Sequence, residues 1–132
     1  FIFRSEGRIP RAYFLVTDQS PSNKNNAYWV NFLNQDTACI HGLESYGRLF
    51  NLPIIYADVQ RVKRGYYTVT LEVLCNNSSV TKKGEITHLY MSKLEEIIGQ
   101  KPENWLWSHK RWKHVRLVDN FADFRSNCIG AI

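Results

Sequence analysis

Apolar and polar positions alternate along this chain with two periods, and the switches between them mark out its elements. Ala12-Tyr-Phe-Leu-Val-Thr17 is a continuous apolar run ending at Asp18, the pattern of a buried, parallel strand. Asp18 to Ala27 is rich in Ser, Asn and Pro and reads as a loop. Thr37 can cap a helix running to about Phe50, with Ile40, Leu43, Tyr46/Gly47 and Phe50 along one face and Asn51 ending it. Pro53 then opens a strand to Arg61. A second strand covers Tyr66 to Cys75, the two joined by Val-Lys-Arg-Gly with Gly65 at the turn. In the second strand Tyr67, Val69, Leu71 and Val73 face one way, and Thr68, Thr70 and Glu72 the other.

The period then lengthens. After a polar loop from Asn76 to Lys83, Glu85 to Gly99 carries Ile86, Leu89, Tyr90, Leu94, Ile97 and Ile98 at helical spacing. Gly99 suits a C-terminal cap, and Pro102 suits the first turn of a short Trp-rich helix. The order predicts an α/β layer: a mixed sheet of at least three strands with helices packed on it. A sheet of that size leaves an open edge. Open edges invite pairing, so a homo-oligomer, a swapped arrangement or a cover from the polar tail is expected.

At 132 residues and 44% hydrophobic, the chain can bury one core. The expected division is a domain over residues 1–114 and a polar tail over 115–132. Three cysteines at irregular spacing (Cys39, Cys75, Cys128) argue against a disulfide framework and for a reducing compartment. Neither they nor His41, His88, His109 and His114 show zinc-ligand spacing, so no metal is expected. No apolar run approaches the roughly 20 residues that span a bilayer.

Charge is concentrated near the C-terminus. From Lys101 to Arg116 five Lys/Arg stand against Glu103, a net +4 of the whole chain's +5. Three of the four tryptophans fall between Trp105 and Trp112, interleaved with His109, Lys110, Arg111 and Lys113. Cations supply donors for phosphate, and Trp rings sit well at a membrane–water boundary. An amphipathic helix with Trp inward and cations in water explains the same composition without a ligand. Such a basic, aromatic segment also admits a non-catalytic domain binding nucleic acid or another anionic ligand.

The spelling of this segment goes further than its composition. Lys101-Pro-Glu-Asn-Trp-Leu-Trp-Ser-His-Lys-Arg-Trp-Lys113 resembles the C-terminal signature of the bacterial lipid A (lauroyl/myristoyl) acyltransferase family. The resemblance extends upstream in the family's order. It includes the strand ending in Asp18-Gln19-Ser20, the aromatic Tyr28-Trp-Val-Asn-Phe32-Leu turn and the Asp36-Thr37-Ala-Cys-Ile-His-Gly42-Leu-Glu44 element. The Leu52-Pro53-Ile-Ile-Tyr strand, with Arg61 at its far end, follows.

The resemblance implies a glycerolipid-acyltransferase-like fold, of which this chain holds the C-terminal part. It also implies transfer of a fatty acyl group from acyl-carrier protein to a hydroxyl of a lipid A precursor or lysophospholipid, with no cofactor. The family's catalytic His, four residues and Asp stand well before the Asp18-Gln19 element. Seventeen residues precede Asp18 and none is His, so the pair is expected upstream and no catalytic residue is assigned here. His114-Val-Arg-Leu-Val-Asp119 spells the same loose pattern, but after the signature, where the family has no use for it.

Substrate contact is expected at Asp18, Gln19, Thr37, Arg61, His109 and Arg111. Asp18 and Gln19 end a strand, where open α/β sheets place ligands, although a loop-capping Asp is equally well explained. Contact with an anionic membrane or the acidic carrier is expected at Lys63, Arg64, Trp105, Trp107, Lys110 and Lys113. A solvated hairpin turn accounts for the first two without a partner. Trp105 and Trp107, two residues apart, cannot share a helical face, so one should pack inward and the other outward. The location implied is the cytoplasmic face of the inner membrane, and nucleic acid is not the expected partner.

Overall fold

The computed structural model describes residues 12–116. The tail from 117, with Asp119 and Cys128, lies outside the described residues. Two antiparallel hairpins and two helices alternate: β1 (Tyr28–Phe32), β2 (Gln35–Cys39), α1 (Gly42–Phe50), β3 (Ile54–Lys63), β4 (Tyr66–Cys75) and α2 (Glu85–Gln100). Single 3-10 turns lie at Lys24–Asn26, Ser78–Val80 and Pro102–Asn104. The fold mixes helix and sheet as expected, and α2 and the β3–β4 hairpin fall within two residues of their predicted ends.

The strands form two separate two-stranded sheets rather than one mixed sheet. Residues 12–17 make no ladder with either hairpin. They run extended beside β3, with Phe14 78% exposed. The aromatic stretch at Tyr28 is a strand, not a turn. Leu33 and Asn34, both at positive φ (49° and 61°), turn it back on itself with the twist a two-residue hairpin requires. Thr37 is therefore in β2, opposite Val30, and caps no helix; α1 starts at Gly42 behind His41. Helix α1 closes on Asn51 at φ 49°, and the Ser78 hydroxyl lies 2.6 Å from both the Gly47 and Leu52 carbonyl oxygens at this end.

The core is one cluster of Val30, Phe32, Cys39, Tyr90, Met91, Leu94 and Ile98, so the first hairpin packs directly on α2. Glu44 of α1 is fully buried and ties the two helices together. Its carboxylate accepts from the backbone N–H of Gly84, the Thr87 N–H at 3.1 Å and the Thr87 hydroxyl at 2.8 Å, filling donors that the first turn of α2 would leave empty. Burial pushes its pKa up, but these donors and nearby His41 outweigh burial and hold it below the ordinary carboxylate value. Gly99 lies inside α2 and does not cap it; the helix ends on Lys101.

The second hairpin turns its polar side to the rest of the fold. Tyr56, Asp58, Gln60 and Glu72 look toward α2 and the Trp segment: Glu72 pairs with Lys93 at 2.9 Å, and Asn104 donates to Gln60 at 2.5 Å. The opposite face, with Ile55, Val59, Tyr67, Val69, Leu71 and Val73, is open over its whole length.

Candidate functional site

Because residues 12–17 lie alongside β3 rather than within a sheet, a cleft opens between them, α2 and the Trp segment. Its volume is about 360 Å³, and its walls are mostly apolar, among them Val16, Ile54, Leu94, Ile98, Trp105 and Leu106. Polar groups enter from two sides. Asp18 ends the extended run, and Asp58 and Gln60 project from β3 toward Asn104 in a chain, the Gln60 amide donating to Asp58 at 2.6 Å. The Tyr56 hydroxyl, in the same cleft, has its pKa pushed up to about 12 by burial and by the carboxylates of Asp58 and Asp18. It stays a neutral donor through the physiological range. A narrow apolar trough with few polar groups suits a ligand that is mostly hydrocarbon with one polar end.

The Trp-His-Arg segment is not a helix beyond its first 3-10 turn. It is clasped against the loop after Asp18. The Ser20 N–H donates to His109 Nε2 at 3.2 Å, the Ser20 hydroxyl donates to the Arg111 carbonyl, and His114 Nε2 lies 2.8 Å from the Pro21 carbonyl oxygen. His109 Nε2 must be unprotonated to accept, which places its proton on Nδ1. Asp18 and His109, expected at the site from separate ends of the chain, are thus brought near one another through Ser20. Gln19 beside them is exposed.

Arg111 points inward. It is 2% exposed, donates to the Ala38 carbonyl at 2.7 Å and reaches the Cys39 sulfur at 3.3 Å, with the Phe32 ring 5.9 Å away. A guanidinium so enclosed ties the C-terminal segment to β2 and has no open face for a ligand, contrary to the anion contact expected of it. Burial raises the Cys39 thiol's pKa, against the lowering effect of Arg111. Thr37 is likewise buried: it donates to the Gln35 carbonyl at 2.8 Å and accepts from Trp112 Nε1 at 2.9 Å, and it does not line the cleft.

Trp105 and Trp107 divide as expected, though on irregular backbone. Trp105 is half-buried against Phe32 and Trp112 and lines the cleft; Trp107 is 55% exposed. Arg61, Lys63 and Arg64 are exposed at the β3–β4 tip, where the Lys63 ammonium sits 4.3 Å over the Tyr66 ring, and none of the three borders the cleft. Lys110 and Lys113 are exposed. Sequence reading passed over Ser20 and Glu44. Their polar side chains look ordinary until the partners, from 40 to 91 positions away, are in place.

Among the described residues no group of three His, Cys, Asp or Glu is placed to hold a metal ion, and no helix is long and apolar enough to cross a membrane. The sequence profile of the bacterial lipid A biosynthesis acyltransferases matches residues 8–114, from before the cleft's first strand-like run to the end of the clasp. The chain belongs to that family. No curated protein and no solved structure matches it. Its function is accordingly of the lipid A acyltransferase type, with a lipid as substrate.

Proposed function

We propose that the chain is the C-terminal part of an enzyme that moves a fatty acyl group from an acyl-carrier-protein thioester to a hydroxyl of a lipid A precursor or lysophospholipid. The apolar cleft ending on Asp18 and the Tyr56 hydroxyl carries this reading, because its walls suit an acyl chain and its polar end suits the reacting group. In the reaction the acceptor oxygen bonds to the thioester carbonyl carbon, the carbon–sulfur bond breaks, and the hydroxyl proton passes through a base to the departing thiolate. The base is a His held by an Asp, both upstream of this chain. Two observations support an external base. None of His41, His88, His109 and His114 lines the cleft, and His109 and His114 each have Nε2 engaged with backbone. The open apolar face of β3–β4 supports the same reading, as a surface on which the upstream part would pack.

Arg61, Lys63, Arg64 and Lys110, with Trp107, attract the carrier or the anionic inner face of the membrane, each cation contributing on the order of 1 kcal/mol at low salt. Co-sedimentation at moderate salt separates this reading from a nucleic-acid-binding domain. Retention on anionic vesicles, weakened when Arg61, Lys63 and Arg64 are changed to Glu, is expected. Retention on an oligonucleotide alone would refute the acyltransferase reading.

A further inference from the structure

Away from the cleft, the clasp builds a second concavity. The Ser22-Asn23-Lys24 corner and the Lys113-His114-Val115 end line an open basin of about 530 Å³, whose lining among the described residues holds two lysines, a histidine and no carboxylate. Among the described residues only Lys93 forms salt bridges, so neither Lys24 nor Lys113 has an acidic partner there. The walls are not loose chain. Ser20 and Pro21 are buried and fastened to His109, Arg111 and His114. The Asn23 Oδ1 is already used, accepting from the Asn25 N–H at 2.9 Å, which leaves its Nδ2 amide as a donor. Since the Pro21 carbonyl can only accept, His114 Nε2 carries a hydrogen at their 2.8 Å contact.

Cations from two sides and a neutral amide donor, with no acid between them among the described residues, fit a compact tetrahedral dianion better than a flat surface or a planar monoanion. We propose that this basin binds a phosphate monoester on the headgroup of the lipid acceptor, with Lys24 and Lys113 as its charged contacts and the Asn23 side-chain amide as a neutral donor. The ligand's identity as acceptor rests on the acyltransferase reading; the binding itself does not. Lys24 and Lys113 are far apart in sequence, and the clasp alone brings them together. This gives the His109–His114 spelling a use beyond holding Arg111 in the core.

The test is chemical-shift mapping of the amide spectrum of the 132-residue chain with glucosamine 1-phosphate, against glucosamine as the uncharged-headgroup control. The expected result is saturable shifts confined to Ser22–Lys24 and Lys113–Val115 with the phosphate ester and none with the free sugar. The Lys24→Gln/Lys113→Gln chain should bind at least roughly tenfold more weakly, two charged contacts having been removed. No shifts, shifts centred on Arg61–Arg64, or undiminished affinity in the double variant would overturn the proposal. If the variant fails to fold, the location of the wild-type shifts decides alone. Sedimentation with phosphatidylglycerol vesicles supplies the second arm. Loss of vesicle binding in the double variant with the soluble ester still bound would make the lysines general membrane contacts, and would also overturn the site. A chain that binds the ester while the complete enzyme transfers no acyl group would refute the acyltransferase reading only.

Discussion

Glu44 ties α1 to α2, because it is charged, fully buried and answered by three donors at the start of α2. Replacing it with Ala strands those donors and should cost about 3 kcal/mol or more, measured by urea unfolding. Its pKa in the folded chain is lowered. Its contribution is therefore complete above the unfolded value near 4.3 and is lost as pH falls through the folded value. The acid limb of a stability–pH profile should flatten in Glu44→Gln, and an unchanged limb would show that the carboxylate is not the anchor. Two glycines offer an opposed pair. Gly84 sits at φ 90°, where an added Cβ would overlap the Tyr28 ring and hydroxyl, so Gly84→Ala should lose more than about 2 kcal/mol. Gly99 lies in a helix with open space around it, and Gly99→Ala should gain about 0.5–1 kcal/mol. The tryptophans should separate similarly: about 3 kcal/mol for Trp105→Ala, which opens the contact with Phe32 and Trp112, and little for Trp107→Ala. Equal small losses would refute the division.

Among the elements, those whose period and ends are both written locally were legible. The 85–99 periodicity found α2, and the Gly65 turn between alternating runs found the second hairpin. The first hairpin was not legible, since its turn is Leu33-Asn34 and the φ > 0 there is taken by residues that advertise it weakly. Once β2 was missed, Thr37 looked like a cap and β1 like a turn. The Ala12–Thr17 run failed for another reason. An apolar run shows what could be buried, but not whether a neighbouring strand exists to bury it. Of the residues singled out from sequence, Asp18 and Trp105 line the cleft and His109 lies in the clasp outside it, whereas the inward path of Arg111 depends on the clasp and could not be read from spacing. The β3–β4 hairpin carries the same lesson in reverse: its alternation was read correctly, but the apolar side faces out. Replacing Val69 and Leu71 with Thr should change the stability of this chain by no more than about 0.5 kcal/mol per site, as at an open surface. Losses of several times that, by thermal unfolding, would mean that something already covers the face.

At the scale of the whole molecule, the first hairpin and α2 form a packed core, the clasp fixes the C-terminal segment, and the cleft and the exposed hairpin face lie beside them. Transfer to a hydroxyl requires a base within about 3 Å of the proton and donors for the oxyanion, and the cleft has a neutral tyrosine and carboxylates but no histidine. On the proposed function, this chain shapes the acyl site and an upstream His and Asp perform the chemistry. The most direct measurement is acyl transfer from acyl-carrier-protein thioester to a lipid A precursor, with the 132-residue chain alone, with its His114→Ala variant, and with the upstream segment restored. Silence is expected from the first two and turnover from the third. Turnover by the chain alone, abolished by His114→Ala, would contradict that expectation.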